Sequence, residues 1–334
     1  MPEQTETSTY AKAVAAALRL ALSEDAAVFM AGEDIGVYGG AFGVTDGLLA
    51  EFGEERIRDT PISEDVIAGL AIGAAITGMR PVVEMQFSDF IVNAMDAIVN
   101  QAAKLHFMYG GNVEVPMVIR APGGGGTGAA AQHSQSLEAW FAHIPGLEVV
   151  MPSTPQDVHD LLLASILSPN PVIFLEHKLL YKTEGPLVVR QRMADTPARI
   201  GQAAVTRAGT DLTIVGHSIM AMRALEAAEQ LAEAGISAEV VDLRTVRPLD
   251  IGTVRDSVRR TGRLLVTHEA PTPVGVGAEV VAGVVESDAL DYLLAPVRRV
   301  CGRDIPMPYA RALEKATIPQ TEDVVDAAKE LMKA

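Results

Sequence analysis

RPVVEMQF, residues 80–87, decides the fold. It is a short, largely apolar run, too brief for a helix, interrupted by Glu84 and Gln86. Runs of the same kind recur as PMVIRAP at 116–122, LEVVMP at 147–152 and PVIFLE at 171–176, and AVFMAG at 27–32 precedes a glycine-rich loop. Helical patterns lie between them. In YAKAVAAALRLAL (10–22), Val14, Leu18 and Leu22 recur on one face, and DVHDLLLASIL (157–167) joins two of the strands. A strand and helix alternation of this kind predicts a mainly parallel sheet covered by helices on both faces.

The alternation lapses after Tyr181, where Gly185, Pro186 and Pro197 mark an extended linker, and then resumes. DLTIVG (211–216), the helix MAMRALEAAEQLAEAG (220–235), SAEVVDL (237–243), a helix through Ile251 to Arg260 and RLLVTHE (263–269) make a second, smaller α/β unit. The expected organisation is a domain at 1–181, a linker at 182–199 and a second domain at 200–334. Two domains suit a chain of 334 residues. Between the first strands, AGLAIGAAITG (68–78) reads as a helix whose glycines and alanines permit close packing or a subunit contact. A further helix is expected from Phe90 to about Phe107, with Ile91, Ala94, Ile98 and Ala102 at helical spacing.

Composition excludes several classes of function. With 27 basic and 43 acidic residues, the net charge of -16 repels a phosphate backbone, so nucleic acid is not an expected partner. An acidic surface either favours a basic protein partner or keeps an alanine-rich chain soluble. No apolar stretch approaches the roughly 20 residues of a membrane span. The opening MPEQTETSTY lacks the features of a signal or transit peptide, which gives the expectation of a cytoplasmic protein or a processed form. Cys301 is the sole cysteine, and the histidines lack zinc-like spacing.

Local motifs leave alternatives open. The run Gly123–Gly126 is no Walker loop, because Ala129 follows Gly128 where Lys is required. It reads equally as a flexible turn or a ligand-facing loop. Glu64, after Ser63 in DTPISEDV, sits where a first-turn carboxylate caps a helix, yet its neighbours Ile62, Val66, Ile67 and Leu70 could raise the pKa of a functional acid. His133 in AAQHSQS suits a cleft or a plain loop, and Phe90 suits core packing.

GEDIGVYGG, RIRDTPISE, GMRPVVEMQFSDF, NQAAKLHFMYGG, AAQHSQSLEAWFAHIPGL, NPVIFLEHKLLY and VDLRTVRPLD occur in this order through both domains. The chain resembles, over nearly its whole length, the beta subunits of pyruvate, acetoin and branched-chain 2-oxo acid dehydrogenases, in the transketolase superfamily. The resemblance implies a pyrimidine-binding domain followed by a transketolase C-terminal-like domain, and thiamine diphosphate as cofactor. It implies that Glu64 contacts a ring nitrogen of the aminopyrimidine, that Phe90 stacks on it, and that Gln86 lines the neighbourhood. Glu33 and Ile62 match positions near the cofactor. His133 matches a histidine near the thiazolium and the incoming lipoyl group.

The sequence contains no Gly-Asp-Gly segment, which in thiamine enzymes anchors the diphosphate through magnesium. The resemblance places that motif on a separate alpha subunit. It implies a heterotetramer of two alpha and two beta chains, docked on a lipoyl acyltransferase core, and potassium held by loop carbonyls in some members. The metal ligands of this chain are unassigned. The implied reaction is decarboxylation of a 2-oxo acid, pyruvate favoured, with reductive acylation of lipoamide. Acetoin or branched-chain acids are the alternative substrates, and a non-catalytic assembly subunit or a self-contained synthase are the rival readings.

Overall fold

The computed structural model describes residues 5–334; the first four residues of the polar opening lie outside them. The chain divides into two compact units, one of residues 1–123 and 140–200, the other of residues 124–139 and 201–334. The short segment 124–139, which carries His133, therefore groups with the second unit.

In the first unit the strands run parallel in the order Glu148–Val150, Val172–His177, Val118–Gly123, Arg80–Glu84, Val28–Gly32 and Ile57–Asp59. The strand Val28–Gly32 is buried at every residue, as expected where helices cover both faces. The helices Tyr10–Glu24 and Pro155–Leu167 pack against each other. Thr9 and Thr154 cap them, each side chain accepting a backbone N–H from the first turn.

Two expectations change. Residues 90–107 are not one α-helix: a 3-10 segment Ser88–Ala94 is followed by a π segment Ala97–Ala102 and only then by the α-helix Ala103–Met108. Apolar spacing alone does not separate these forms, because all three place similar residues on the buried side. Within residues 182–199, Glu184–Val188 forms a strand that pairs antiparallel with Thr5–Thr9.

The second unit holds a five-stranded sheet in the order Arg298–Gly302, Leu264–Pro271, Leu212–Gly216, Ala238–Asp242 and Ala204–Arg207. The last strand is antiparallel to its neighbour and the rest are parallel. Its core joins Ile214, Val240 and Leu265 of the sheet to Ala224, Leu231, Val324 and Ala328 of two helices.

One polar feature crosses the first unit's apolar sheet. Arg120 is 1% exposed, and its Nε and Nη2 donate to the two carboxylate oxygens of Glu176 at 2.7 and 3.0 Å while Nη1 donates to Glu84 at 2.6 Å. The Tyr181 hydroxyl donates to Glu176 at 2.8 Å. Burial pushes the Glu84 carboxyl up, against the pull of Arg120 and with a further push from Glu176. The two carboxylates hold Arg120 protonated.

Removing the guanidinium strands two buried carboxyls. Arg120→Met should therefore lower stability by about 3–5 kcal/mol, read from the denaturation midpoint of the purified chain. A loss below about 1 kcal/mol would show that water or a rearranged strand replaces the pairing.

Candidate active site

Sheet register assembles the site of the first unit. Gly32 pairs with Glu84, and Glu84 with Arg120, so neighbouring parallel strands end at one level. Glu33 and Asp34 follow the first of these strands, and Gln86 follows the second. Asp34 adopts φ 54, a left-handed conformation that Asp tolerates better than most residues. Its carboxylate accepts from Gln86 Nε2 at 3.2 Å. The loop then turns past Asp59, whose carboxylate accepts the N–H groups of Gly36 at 2.6 Å and Val37 at 3.2 Å. A Cβ at residue 36 would lie 2.7 Å from Asp59 Oδ2, so glycine is needed for this approach.

Glu33 is 4% exposed, and its Oε1 has no hydrogen-bond partner. Burial, reinforced by the charges of Glu64, Asp34 and Glu84, pushes its pKa up to about 7. Glu33 thus divides between neutral and charged forms near neutral pH, as an acid or base in a reactive site must.

Glu64 begins the helix Glu64–Ile76 and is buried, whereas the adjacent Asp65 is exposed. Ser63 precedes the helix but makes no side-chain capping bond. The Glu64 carboxylate instead accepts from Asn93 Nδ2 at 3.2 Å. Asn93 lies in the same 3-10 segment, Ser88–Ala94, as Phe90.

Phe90 is half-buried and meets Phe87 edge-on, with centroids 5.9 Å apart. Phe87 meets Phe42 at 6.1 Å, and Phe42 lies against Tyr181 at 5.0 Å. Lys178 Nζ stands 5.3 Å from the centre of the Phe87 ring. The first unit also exposes large apolar side chains: Ile62 is 80% and Val37 87% exposed.

The first unit therefore gathers Glu33, Glu64, Gln86 and Phe90 on neighbouring strand ends and helix starts, with Ile62 exposed beside Glu64. His133, in contrast, lies on the segment grouped with the second unit. It is half-buried, and its N–H donates to Ala130 O at 3.4 Å in a turn where Ala130 takes φ 63.

Sequence reading missed Asn93, the network of Arg120 with Glu84 and Glu176, and a buried set in the second unit. There, His217 Nε2 lies 3.4 Å from Glu138 Oε1, and Cys301 Sγ lies 3.2 Å from His268 Nε2. Burial, with the nearby His217, pushes His268 down to about 4, leaving a neutral imidazole. No spacing in the sequence joins these residues. Only the polar endings of the apolar runs, Glu84 and Glu176, hinted at the first network.

Comparison with known proteins sets this geometry in a family. The transketolase pyrimidine-binding domain matches residues 6–184, and the transketolase C-terminal domain matches residues 201–324. A rice protein named pyruvate dehydrogenase E1 component subunit beta-2, mitochondrial, is 46% identical over 96% of this chain and 85% of its own length. The chain belongs to the pyruvate dehydrogenase beta-subunit family of the transketolase superfamily. A Rhizobium meliloti relative named pyruvate dehydrogenase E1 component subunit beta is 45% identical, covering 98% of this chain and 71% of that one. Among solved structures, a split-gene transketolase described as an inactive beta4 tetramer superposes with TM-score 0.77 over 97% of this chain and 98% of its own, at 23% identity. That likeness concerns the fold. The rice and Rhizobium meliloti relatives are named as beta subunits of a pyruvate dehydrogenase E1 component.

The raised carboxyl of Glu33 makes stability depend on pH with a definite sign. Its folded pKa of about 7 exceeds the value of 4.5 for an unperturbed group, so between these the folded chain holds the extra proton. Stability must therefore fall as pH rises through that window. Glu33→Gln abolishes the titration. Thermal midpoints of the variant should gain on those of the native chain between about pH 5 and about pH 8. An offset that stays constant across the range would place the Glu33 pKa at its ordinary value.

Proposed function

We propose that this chain is the beta subunit of a pyruvate dehydrogenase-type decarboxylase component. With an alpha subunit it would decarboxylate a 2-oxo acid and pass the acyl group to lipoamide. The observation that carries this reading is a partly protonated buried carboxyl, Glu33, with an unpaired oxygen near the buried Glu64. Pyruvate is preferred to acetoin and branched-chain acids because the relatives sharing 43–47% identity are named for pyruvate. Eukaryotic relatives are named mitochondrial. A cytoplasmic location is part of the proposal for this chain, in which no helix among the described residues is long and apolar enough to cross a membrane.

The residues fit an aminopyrimidine. Glu64 would hold a proton at a ring nitrogen, while Asn93 keeps the carboxylate oriented. Glu33, neutral for part of the time near pH 7, can donate where a charged carboxylate cannot. Phe90 offers its ring for stacking, Ile62 adds apolar surface, and Gln86 lines the strand end. Thiamine diphosphate, when bound, supplies the carbon nucleophile and electron sink for decarboxylation. His133 would hold or deliver a proton at the lipoyl sulfur during acyl transfer. Magnesium, with the diphosphate it neutralises, is assigned to the alpha subunit because this sequence has no Gly-Asp-Gly. Potassium is proposed only as a structural ion on loop carbonyls.

The helix Glu64–Ile76 supports a two-alpha, two-beta assembly. Val66, Leu70 and Ile76 are exposed along it, and open space lies over Gly69 and Gly73. Such a face allows another backbone to approach closely. Docking of this acidic chain on an acyltransferase core through the second unit belongs to the same proposal.

In the reconstituted complex, Glu64→Gln should lower turnover roughly 10²- to 10⁴-fold at saturating cofactor and substrate. Exchange of the thiazolium proton for deuterium should slow with it; native exchange rates would remove Glu64 from the chemistry. Gly73→Leu should shift the complex toward free subunits in sedimentation velocity without lowering the thermal midpoint of the isolated chain. Unchanged sedimentation would count against this face as a contact.

A further inference from the structure

The glycine-rich segment 124–139 contains no helix or strand before Glu138, yet its backbone is tied down in a specific way. Its neck closes where Gly124 N–H donates to Gln135 O at 3.3 Å. Glu269, 8% exposed, sits at that neck, and its Oε1 accepts Gly125 N–H at 2.6 Å and the Ser136 hydroxyl at 3.3 Å, one from each limb. Glu314, 1% exposed, holds the outgoing limb. Its Oε1 accepts Gly126 N–H at 2.8 Å, and its Oε2 accepts Gly128 N–H at 2.9 Å. All of these residues belong to the second unit.

Successive glycine N–H groups form a concavity suited to an anion. Here the anions are two carboxylates of the same chain, so these N–H groups are already engaged and the run does not await a phosphate. A Cβ at Gly125 would lie 2.6 Å from Ile318 Cδ1 and 3.0 Å from Met307 Cε, so the ends of these two side chains would have to shift to admit one. Bonds from N–H groups to a buried carboxylate are among the stronger hydrogen bonds, and losing an acceptor leaves the donors unsatisfied. The loop between these ties carries His133.

We propose that Glu269 and Glu314 are positioning residues, whose carboxylates clamp the 124–139 loop from both limbs and thereby fix His133 for acyl transfer. This rests on the role given to His133 above. Neither carboxylate needs to touch substrate or cofactor.

The test uses the assembled complex with its alpha subunit, carrying Glu314→Gln, Glu269→Gln or His133→Ala. An amide side chain presents one acceptor oxygen in place of two, so amide hydrogen exchange in the peptide 124–136 should accelerate about 10- to 100-fold. Peptides from the strands Leu212–Gly216 and Leu264–Pro271 should exchange at native rates. Acyl transfer to lipoamide should slow by about 10- to 100-fold, while thiazolium proton exchange stays native. In the His133→Ala background, Glu314→Gln should bring no further loss. Glu314→Asp, which keeps two acceptor oxygens, should recover part of the rate. Native exchange in the loop peptide overturns the clamp. A faster loop with native acyl transfer, or losses that multiply with those of His133→Ala, overturns the positioning of His133. If the native complex turns over no 2-oxo acid, the proposed function fails, and the exchange data still decide the clamp. Should Glu314→Gln not assemble, Glu269→Gln carries the same measurements.

Discussion

The bidentate pairing of Arg120 with Glu176, extended to Glu84, is the constraint on which the first unit depends. A guanidinium cannot lose its proton in a protein interior, so its burial is tolerable only if every strand around it brings a partner to one level. That requirement joins the strands Arg80–Glu84, Val118–Gly123 and Val172–His177 through side chains as well as backbone. A slip of one residue would send the arginine to the opposite face. The same register sets where the strand Val28–Gly32 ends, and hence where Glu33 and Asp34 begin.

The carboxyl groups beside this network differ in character because their surroundings differ. Glu84 has Arg120 directly against it and Glu64 has Asn93, whereas Glu33 has burial, three acidic neighbours and no partner for one oxygen. A folded chain normally satisfies or exposes such a group. Leaving it unsatisfied costs stability, which is the usual mark of a site shaped for something that binds there. The aromatic group of Phe42, Phe87 and Phe90, packed edge to face, adds apolar surface in the same unit.

The second unit inverts a familiar use of glycine. Gly125, Gly126 and Gly128 direct their N–H groups at buried carboxylates from distant parts of the chain, and a run that reads in sequence as either a flexible turn or a ligand-facing loop is anchored. The loop held in this way is the one that carries His133.

Local pattern was enough for some of this and not for the rest. Short apolar runs alternating with helices determined two α/β units with mainly parallel sheets, because burial on both faces leaves a continuous imprint on the residues themselves. The motifs GEDIG, TPISE, EMQFSDF and AAQHSQS singled out Glu33, Ile62, Glu64, Gln86, Phe90 and His133 as candidates through resemblance, whereas the local context of Glu64 pointed first to a helix cap and left an acid open. Tertiary structure decided what spacing does not encode. It divided residues 88–108 among three helix forms, set Asn93 against Glu64, and grouped His133 with the second unit. Arg120, inside an apolar strand, finds its partners on two other strands. The glycine loop finds its acceptors 144 and 188 residues further along the chain. The physical reason is common to these cases: periodicity reports which face a residue presents, while a pKa, an ion pair or a clamp depends on which distant residue the packed strands bring opposite it.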